Sequence, residues 1–381
     1  MLSHAFSTFL FFLRSPGLLS FLSVFVFKVG IQDGSAKPPK AALEGQGVVF
    51  YLVAALAMVI VNKWVLNATD APLFFLWTQL MIAVVLFLVS DLLRLLPDRL
   101  SFDIAVCKGL VAMVSLNVIG LSFSNYTLKY VDASFYQVAR GLLLPFTVAT
   151  SYIFLHTRPF LLILVACSVV TTGFFIGVFL DGTEISMRGI FFGVASSAIT
   201  AVHSVVIKQS LNVVNGSALL LSWYTNLLSA VVLAPIVFLT GEGPAITKLL
   251  FGLDELLRPE DTISPLTTFL WGSLITGVFG FLMSIASLLS IKVTSPITHM
   301  ISSAVRGVAA SLLGMWLFEE IITTGRASSI AMILLGSIWY TWIKHKDSLP
   351  PSSGSSHGAY ERVQMEELES QAGEMKERKP E

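Results

Sequence analysis

Apolar residues gather into ten runs along the chain, at about 47–66, 71–96, 104–128, 133–155, 159–180, 189–208, 216–240, 264–288, 296–318 and 327–344. A hydrocarbon core of about 30 Å needs about 20 helical residues, so each run is long enough to cross one. Short polar or helix-breaking joints separate them: Asp70-Ala71-Pro72, Asp98, Asp132, Thr157-Arg158-Pro159, Asp181-Gly182, Asn215-Gly216 and Ser295-Pro296. The pattern predicts an all-α polytopic membrane protein of ten transmembrane helices. The one long internal loop, about 241–263, is acidic overall, with Glu242, Asp254, Glu255, Glu260 and Asp261 against Lys248 and Arg258. With both termini cytoplasmic, that side holds Arg94, Arg99, Lys108, Arg158, Lys208, Lys292, Lys344 and Lys346. The other side holds Lys129, Arg188, Lys248, Arg258 and Arg326, a modest bias in the expected direction.

Composition fits this reading and narrows it. The 381 residues are 55% hydrophobic and 13% charged, with a mean hydropathy of +0.79, against roughly 25% charged in soluble domains. Net charge is zero, which gives no bulk basic patch for nucleic acid. Cys107 and Cys167 lie in or beside apolar runs without metal-ligand or redox spacing. No phosphate-binding loop, no paired intramembrane carboxylates and no metal motif appear, so neither an enzyme nor a bound cofactor is expected. Three sequons begin at Asn67, Asn125 and Asn215, all hugging or entering the membrane, and none is expected to carry a glycan. The N-terminal segment 1–46 is partly apolar, broken at Arg14-Ser15-Pro16, and the tail 347–381 reads as a disordered cytoplasmic segment.

Two arginines interrupt apolar helices in related contexts. "KYVDASFYQVARG" (129–141) and "IKVTSPITHMISSAVRG" (291–307) each run from a lysine and a valine, through a helix-start signal, to an arginine followed by glycine. They fall in the fourth and ninth runs, the fourth of each group of five. An odd number of helices per group makes the two groups antiparallel, so the pattern predicts two inverted five-helix repeats, at 47–180 and 189–346. Substrate sites in such folds lie near the midplane between repeats. At about 1.5 Å per residue, Arg140 lies roughly 12 Å into its helix and Arg306 roughly 15 Å into its own. A cation at that depth costs about 2.5–3.5 kcal/mol to insert. The runs hold almost no acidic partner: Asp91 is late in the second, and Glu319-Glu320 close the ninth. The pair is therefore read as lining a cavity for an anion.

Neighbours on each arginine's helix extend a polar stripe: Tyr136, Gln137, Thr147 and Ser151 with Arg140, and His299, Ser302 and Ser303 with Arg306. The seventh run offers Tyr224 and Asn226 beside Ser222, Trp223 and Ser229, a mixture suited to stacking and hydrogen-bonding a base. The eighth offers Ser273, Thr276, Gly277 and Gly280, read as close helix packing. Lys63, near the end of the first run, is either an anchor at the membrane edge or a cation over the cavity.

These stretches carry a resemblance. "VNKWVL", "SNYTLKYVDASFYQVARGLLLPF", "SWYTNLLSA", "KVTSPITHMISSAVRG" and "LLGSIWYTWIK" resemble the nucleotide-sugar transporter and triose-phosphate translocator branch of the drug/metabolite transporter superfamily, within it the GDP-fucose transporter type. The resemblance covers about 47–346. "FYQVAR" is similar to the family's "FYNVGR", which implies substrate contacts for Tyr136, Gln137 and Arg140. "SPITHMISSAVRG" is similar to "SPLTHNVSGTAK" and sets Arg306 where relatives carry a phosphate-facing lysine. "WYTN" is similar to "FYNN", which faces guanine and ribose in GDP-sugar carriers, and implies that role for Tyr224 and Asn226. Thr225 departs from that motif, and the "GALNK" motif of GDP-mannose carriers is absent.

The resemblance implies a multi-pass Golgi protein, with the endoplasmic reticulum as the other candidate membrane. It would import GDP-fucose or a related GDP-sugar in exchange for GMP. The expected substrate-binding set is Arg140, Arg306, Tyr136, Gln137, Tyr224, Asn226, Ser303 and Lys63. The expected partners are a nucleotide sugar, a nucleoside monophosphate and the lipid bilayer, with no nucleic acid and with room for a homodimer. The alternative is a sugar-phosphate/phosphate exchanger, which would use the same arginines without the Tyr224–Asn226 cluster.

Overall fold

The computed structural model describes residues 40–348 except 97–98, 157, 183–184, 253–263 and 294–295; within that range the side chains of 40–52, 155, 208, 285–306 and 347–348 lie outside the description. Residues 1–39 of the N-terminal segment and 349–381 of the tail therefore fall outside the described residues.

The described chain is helical throughout: α1 (Lys40–Ala68), α2 (Pro72–Leu92), α3 (Ile104–Gly109), α4 (Val111–Tyr130), α5 (Ala133–Gly141), α6 (Leu143–Leu155), α7 (Leu161–Phe179), α8 (Met187–Val213), α9 (Ala218–Leu239), α10 (Gly243–Phe251), α11 (Pro265–Val293), α12 (Pro296–Phe318) and α13 (Thr324–Ser348). Among the described residues, six stretches are long and apolar enough to cross a membrane: α2, α4, α7, α8, α9 and Pro265–Ser284 of α11. α1 and α12 contribute shorter apolar stretches, Val53–Ala68 and Gly307–Phe318. α13 carries Arg326 near one end and Lys344, His345 and Lys346 near the other. Leu92, Phe179, Phe238 and Leu239 stand exposed, an apolar outer surface of the kind a bilayer covers. The chain is a multi-pass membrane protein.

Three elements depart from the hydrophobic reading. The fourth run is not one helix: α5 stops at Gly141 and α6 starts at Leu143. Pro145 explains the break, because it lacks an N–H and its ring crowds the carbonyl four residues earlier, that of Gly141. The third run is likewise split at Leu110 into α3 and α4. The loop after α9 contains α10, which opens with Pro244 in its first turn, a position where the missing N–H costs nothing.

Packing joins the early helices to the late ones. α7 runs along α13, α4 along α8, α11 along α1 and α2, α9 against α2, and α12 against α5. Small residues let the backbones close. A Cβ on Gly177 of α7 would sit 2.6 Å from Ser329 Oγ on α13, and one on Gly193 of α8 would sit 2.8 Å from Ala139 Cβ on α5. Without a strong hydrophobic drive between helices in lipid, such close contacts carry the association. Gly277 has the same function on α11, where a Cβ would strike Ile82 of α2 at 2.6 Å.

Candidate functional site

Arg140 lies at the C-terminal end of α5, next to the break that separates it from α6. One guanidinium nitrogen, NH1, donates to Tyr136 Oη at 3.1 Å, one helical turn back, and the guanidinium carbon lies 5.9 Å from that ring's centroid. Tyr136 Oη also hydrogen-bonds Ser124 Oγ of α4 at 2.8 Å. The i, i+4 spacing thus orients the cation, and α4 anchors the phenol that orients it.

The arginine forms part of the wall of two partly open cavities. The first, about 360 Å³ and partly open, is lined by α1, α2, α4, α5, α6, α8, α9 and α11. Its polar wall includes Asn62, Gln79, Asn117, Tyr136, Arg140, Thr200, His203 and Asn226. Gln79 Nε2 donates to Asn62 Oδ1 at 2.9 Å, Asn117 Nδ2 to Ser229 Oγ at 3.0 Å, and Asn226 Nδ2 to Ser222 O at 2.8 Å. The second cavity, about 370 Å³, is lined by Gln137, Arg140, Thr147, Gly307, Ser337 and Tyr340. Gln137 Nε2 is buried with no hydrogen-bond partner among the described residues. Cavities of this size, mostly apolar with a few converging polar groups, are typical small-molecule sites.

Tyr136, Gln137, Arg140 and Asn226 therefore reach these walls. The side chains of Arg306 and Ser303 lie outside the described residues. The α12 backbone runs through both positions, and Gly307, the next residue, lines the second cavity beside Gln137 and Arg140.

Two expected site residues are held elsewhere. Tyr224 is buried away from both walls, and its Oη accepts the Asp103 N–H at 2.8 Å in the segment that leads into α3. Phe102 stacks on its ring with centroids 6.5 Å apart. Lys63 is also buried, and its Nζ donates to Leu128 O at 3.0 Å and Val131 O at 2.6 Å. It satisfies carbonyls that the end of α4 leaves open, so of its two readings the anchor is the one its contacts describe.

Lys63 belongs to a charged network across one face of the bundle that the hydrophobic pattern does not reveal. Lys129 returns the favour, donating to Leu66 O, Thr69 O and Asp70 Oδ1 at 2.9, 2.6 and 2.7 Å. Glu242 accepts the first amides of α2, from Leu73 at 3.0 Å and Phe74 at 2.9 Å. Glu320 does the same for α5, accepting from Ala133 at 2.6 Å and Ser134 at 3.1 Å. Arg326, 1% exposed, pairs with Asp132 and Asp181, each at 2.7 Å. Burial pushes the Glu242 carboxyl above the usual range, against the pull of its two backbone amides. The Lys129 ammonium holds Asp70 below it. The sequence signal was the position of the acidic members, Asp70, Asp132, Asp181, Glu242 and Glu320, each two or three residues beyond a helix end.

Comparison with known proteins decides the family. The Triose-phosphate Transporter family model matches residues 45–341. The chain belongs to that family. Its members are transporters, which sets the chain among carriers rather than enzymes. Curated relatives include "GDP-fucose transporter 1" of Monosiga brevicollis, 30% identical over 311 residues, covering 79% of this chain and 90% of its own length. "GDP-fucose transporter 1" of Dictyostelium discoideum is 30% identical over 302 residues, covering 77% and 78%. "GDP-fucose transporter, Golgi" of Drosophila melanogaster is 29% identical, covering 79% and 90%.

Proposed function

We propose that this family member is a Golgi antiporter that brings in GDP-fucose, or a related GDP-sugar, in exchange for GMP. The observation that carries the reading is Arg140 on the wall of a cavity between helices whose other polar groups are amides, hydroxyls and an imidazole. A guanidinium offers a fork that matches phosphate oxygens, and the amides suit the base and ribose. The names of the curated relatives support the same cargo. GMP and a GDP-sugar share guanosine and a phosphate, so one site accepts both. Each carries nearly two negative charges at neutral pH, which keeps the exchange close to electroneutral.

The helix pairing supports ten spans in two inverted repeats, α1–α7 and α8–α13. Matching the repeats in order relates α1 to α8, α2 to α9, α4 to α11, α5 and α6 to α12, and α7 to α13. Under that relation the α7–α13, α2–α9 and α5–α12 contacts map onto themselves, and α4–α8 maps onto α11–α1. In this reading Arg306 reaches the Arg140 site from the second repeat, with Ser303 one turn before it.

A phosphate or sugar-phosphate exchanger would use Arg140 in the same way and leave the amide wall without a partner in the cargo. Melting temperatures of purified protein distinguish the two. GMP at 100 times its Kd should stabilise wild type by about 2.7 kcal/mol, with inorganic phosphate far weaker. Arg140→Gln should abolish the GMP effect, and Arg306→Lys should keep part of it. Full GMP stabilisation of Arg140→Gln would remove the guanidinium from the site.

A further inference from the structure

α8 presents one polar face to the first cavity, at Gly193, Ser196, Ser197, Thr200 and His203. Its hydroxyls are all engaged with backbone. Ser196 Oγ donates to Gly120 O at 3.2 Å, Ser197 Oγ to Ala139 O at 2.9 Å, and Thr200 Oγ1 to Ser196 O at 2.7 Å. The amides across the cavity are engaged as well, Gln79 with Asn62 and Asn117 with Ser229. His203 is the exception. The residue lines the cavity, and its buried Nε2 has no hydrogen-bond partner among the described residues. A polar side chain on a cavity wall without a protein partner is stabilised by a ligand that bonds it.

The position of the imidazole on α8 indicates which part of a ligand it meets. Ser197 bonds the carbonyl of the residue before Arg140, so it marks the level of the Arg140 backbone along α8. His203 lies six residues further on, about 9 Å at the helical rise. A nucleotide with its phosphate at Arg140 and its base extended toward that end of α8 would bring the base to the imidazole. Asn226, from α9, lines the same cavity.

We propose that His203 is a specificity-determining residue that hydrogen-bonds the nucleobase of the cargo. The inference rests on the nucleotide-sugar reading above. A neutral imidazole offers one donor and one acceptor, and both ring nitrogens and keto oxygens of a purine can meet it.

The test is the equilibrium binding of GMP, UMP and inorganic pyrophosphate to purified wild type, His203→Ala and His203→Gln. His203→Ala should weaken GMP by roughly ten- to a hundred-fold, the range of one buried hydrogen bond left unmade. Pyrophosphate affinity should stay unchanged, and the preference for GMP over UMP should collapse. His203→Gln, which keeps a donor and an acceptor, should recover part of the loss and stands in if the alanine variant does not fold. Equal losses for GMP and pyrophosphate, or an unchanged GMP-to-UMP ratio in both variants, would overturn the assignment while leaving nucleotide binding intact. A wild type that binds GMP no better than pyrophosphate would remove the nucleotide reading and His203's role with it.

Discussion

Lys63 Nζ lies between two carbonyls at the C-terminal end of α4, with almost no exposure to water. Lys63→Met keeps the apolar stem and removes the charge-assisted bonds, so it should lower stability by about 2 kcal/mol. GMP affinity should not change, because the ammonium is spent on backbone. A loss of affinity with stability intact would return Lys63 to the cargo site. The contrast with Arg140 explains what the sequence made legible. Arg140 and Tyr136 are one turn apart on one helix, so their contact follows from spacing. The partners of Lys63 and Tyr224 lie 65 and 121 residues away, and no local pattern points to them. His203 lies in an apolar run, and its place on the cavity wall follows only from the packing of α8 against the early helices.

Glu242 and Glu320 act at the scale of elements, each closing the N-terminus of a helix from a distant part of the chain. The first amides of a helix have no partner within it and carry partial positive charge, so a carboxylate docks there readily. Such caps sit outside the apolar runs, and hydrophobic periodicity passes over them, as it passed over the breaks at Leu110 and Leu142. Burial makes Glu242 harder to ionise in the folded chain than in the unfolded one. The folded state holds that proton to higher pH. The group's contribution is therefore fully present below its unfolded value and is lost as pH rises through the raised one. Asp70, held down by Lys129, works oppositely, losing its contribution only as pH falls through a value below the ordinary range. Between the ordinary carboxylate value and the raised one, acidification should increase the melting temperature of wild type relative to Glu242→Gln, which cannot titrate. A wild type that falls relative to the variant across that window contradicts the buried, proton-holding cap.

Across the whole molecule, the early and late helices meet around a cavity that Arg140 reaches from a broken helix, while charged caps tie helix ends together over one face. Fold class was legible because runs of about 20 apolar residues admit few structures in a bilayer, and the cation at the centre of one run pointed to the cavity. The central claim, exchange of a GDP-sugar for GMP through Arg140, is tested most directly by counterflow in proteoliposomes holding the full chain. Vesicles preloaded with GMP should accumulate labelled GDP-fucose. Vesicles preloaded with inorganic phosphate, empty vesicles and vesicles bearing Arg140→Gln should not. Uptake driven equally by phosphate, or undiminished in Arg140→Gln, would contradict the account.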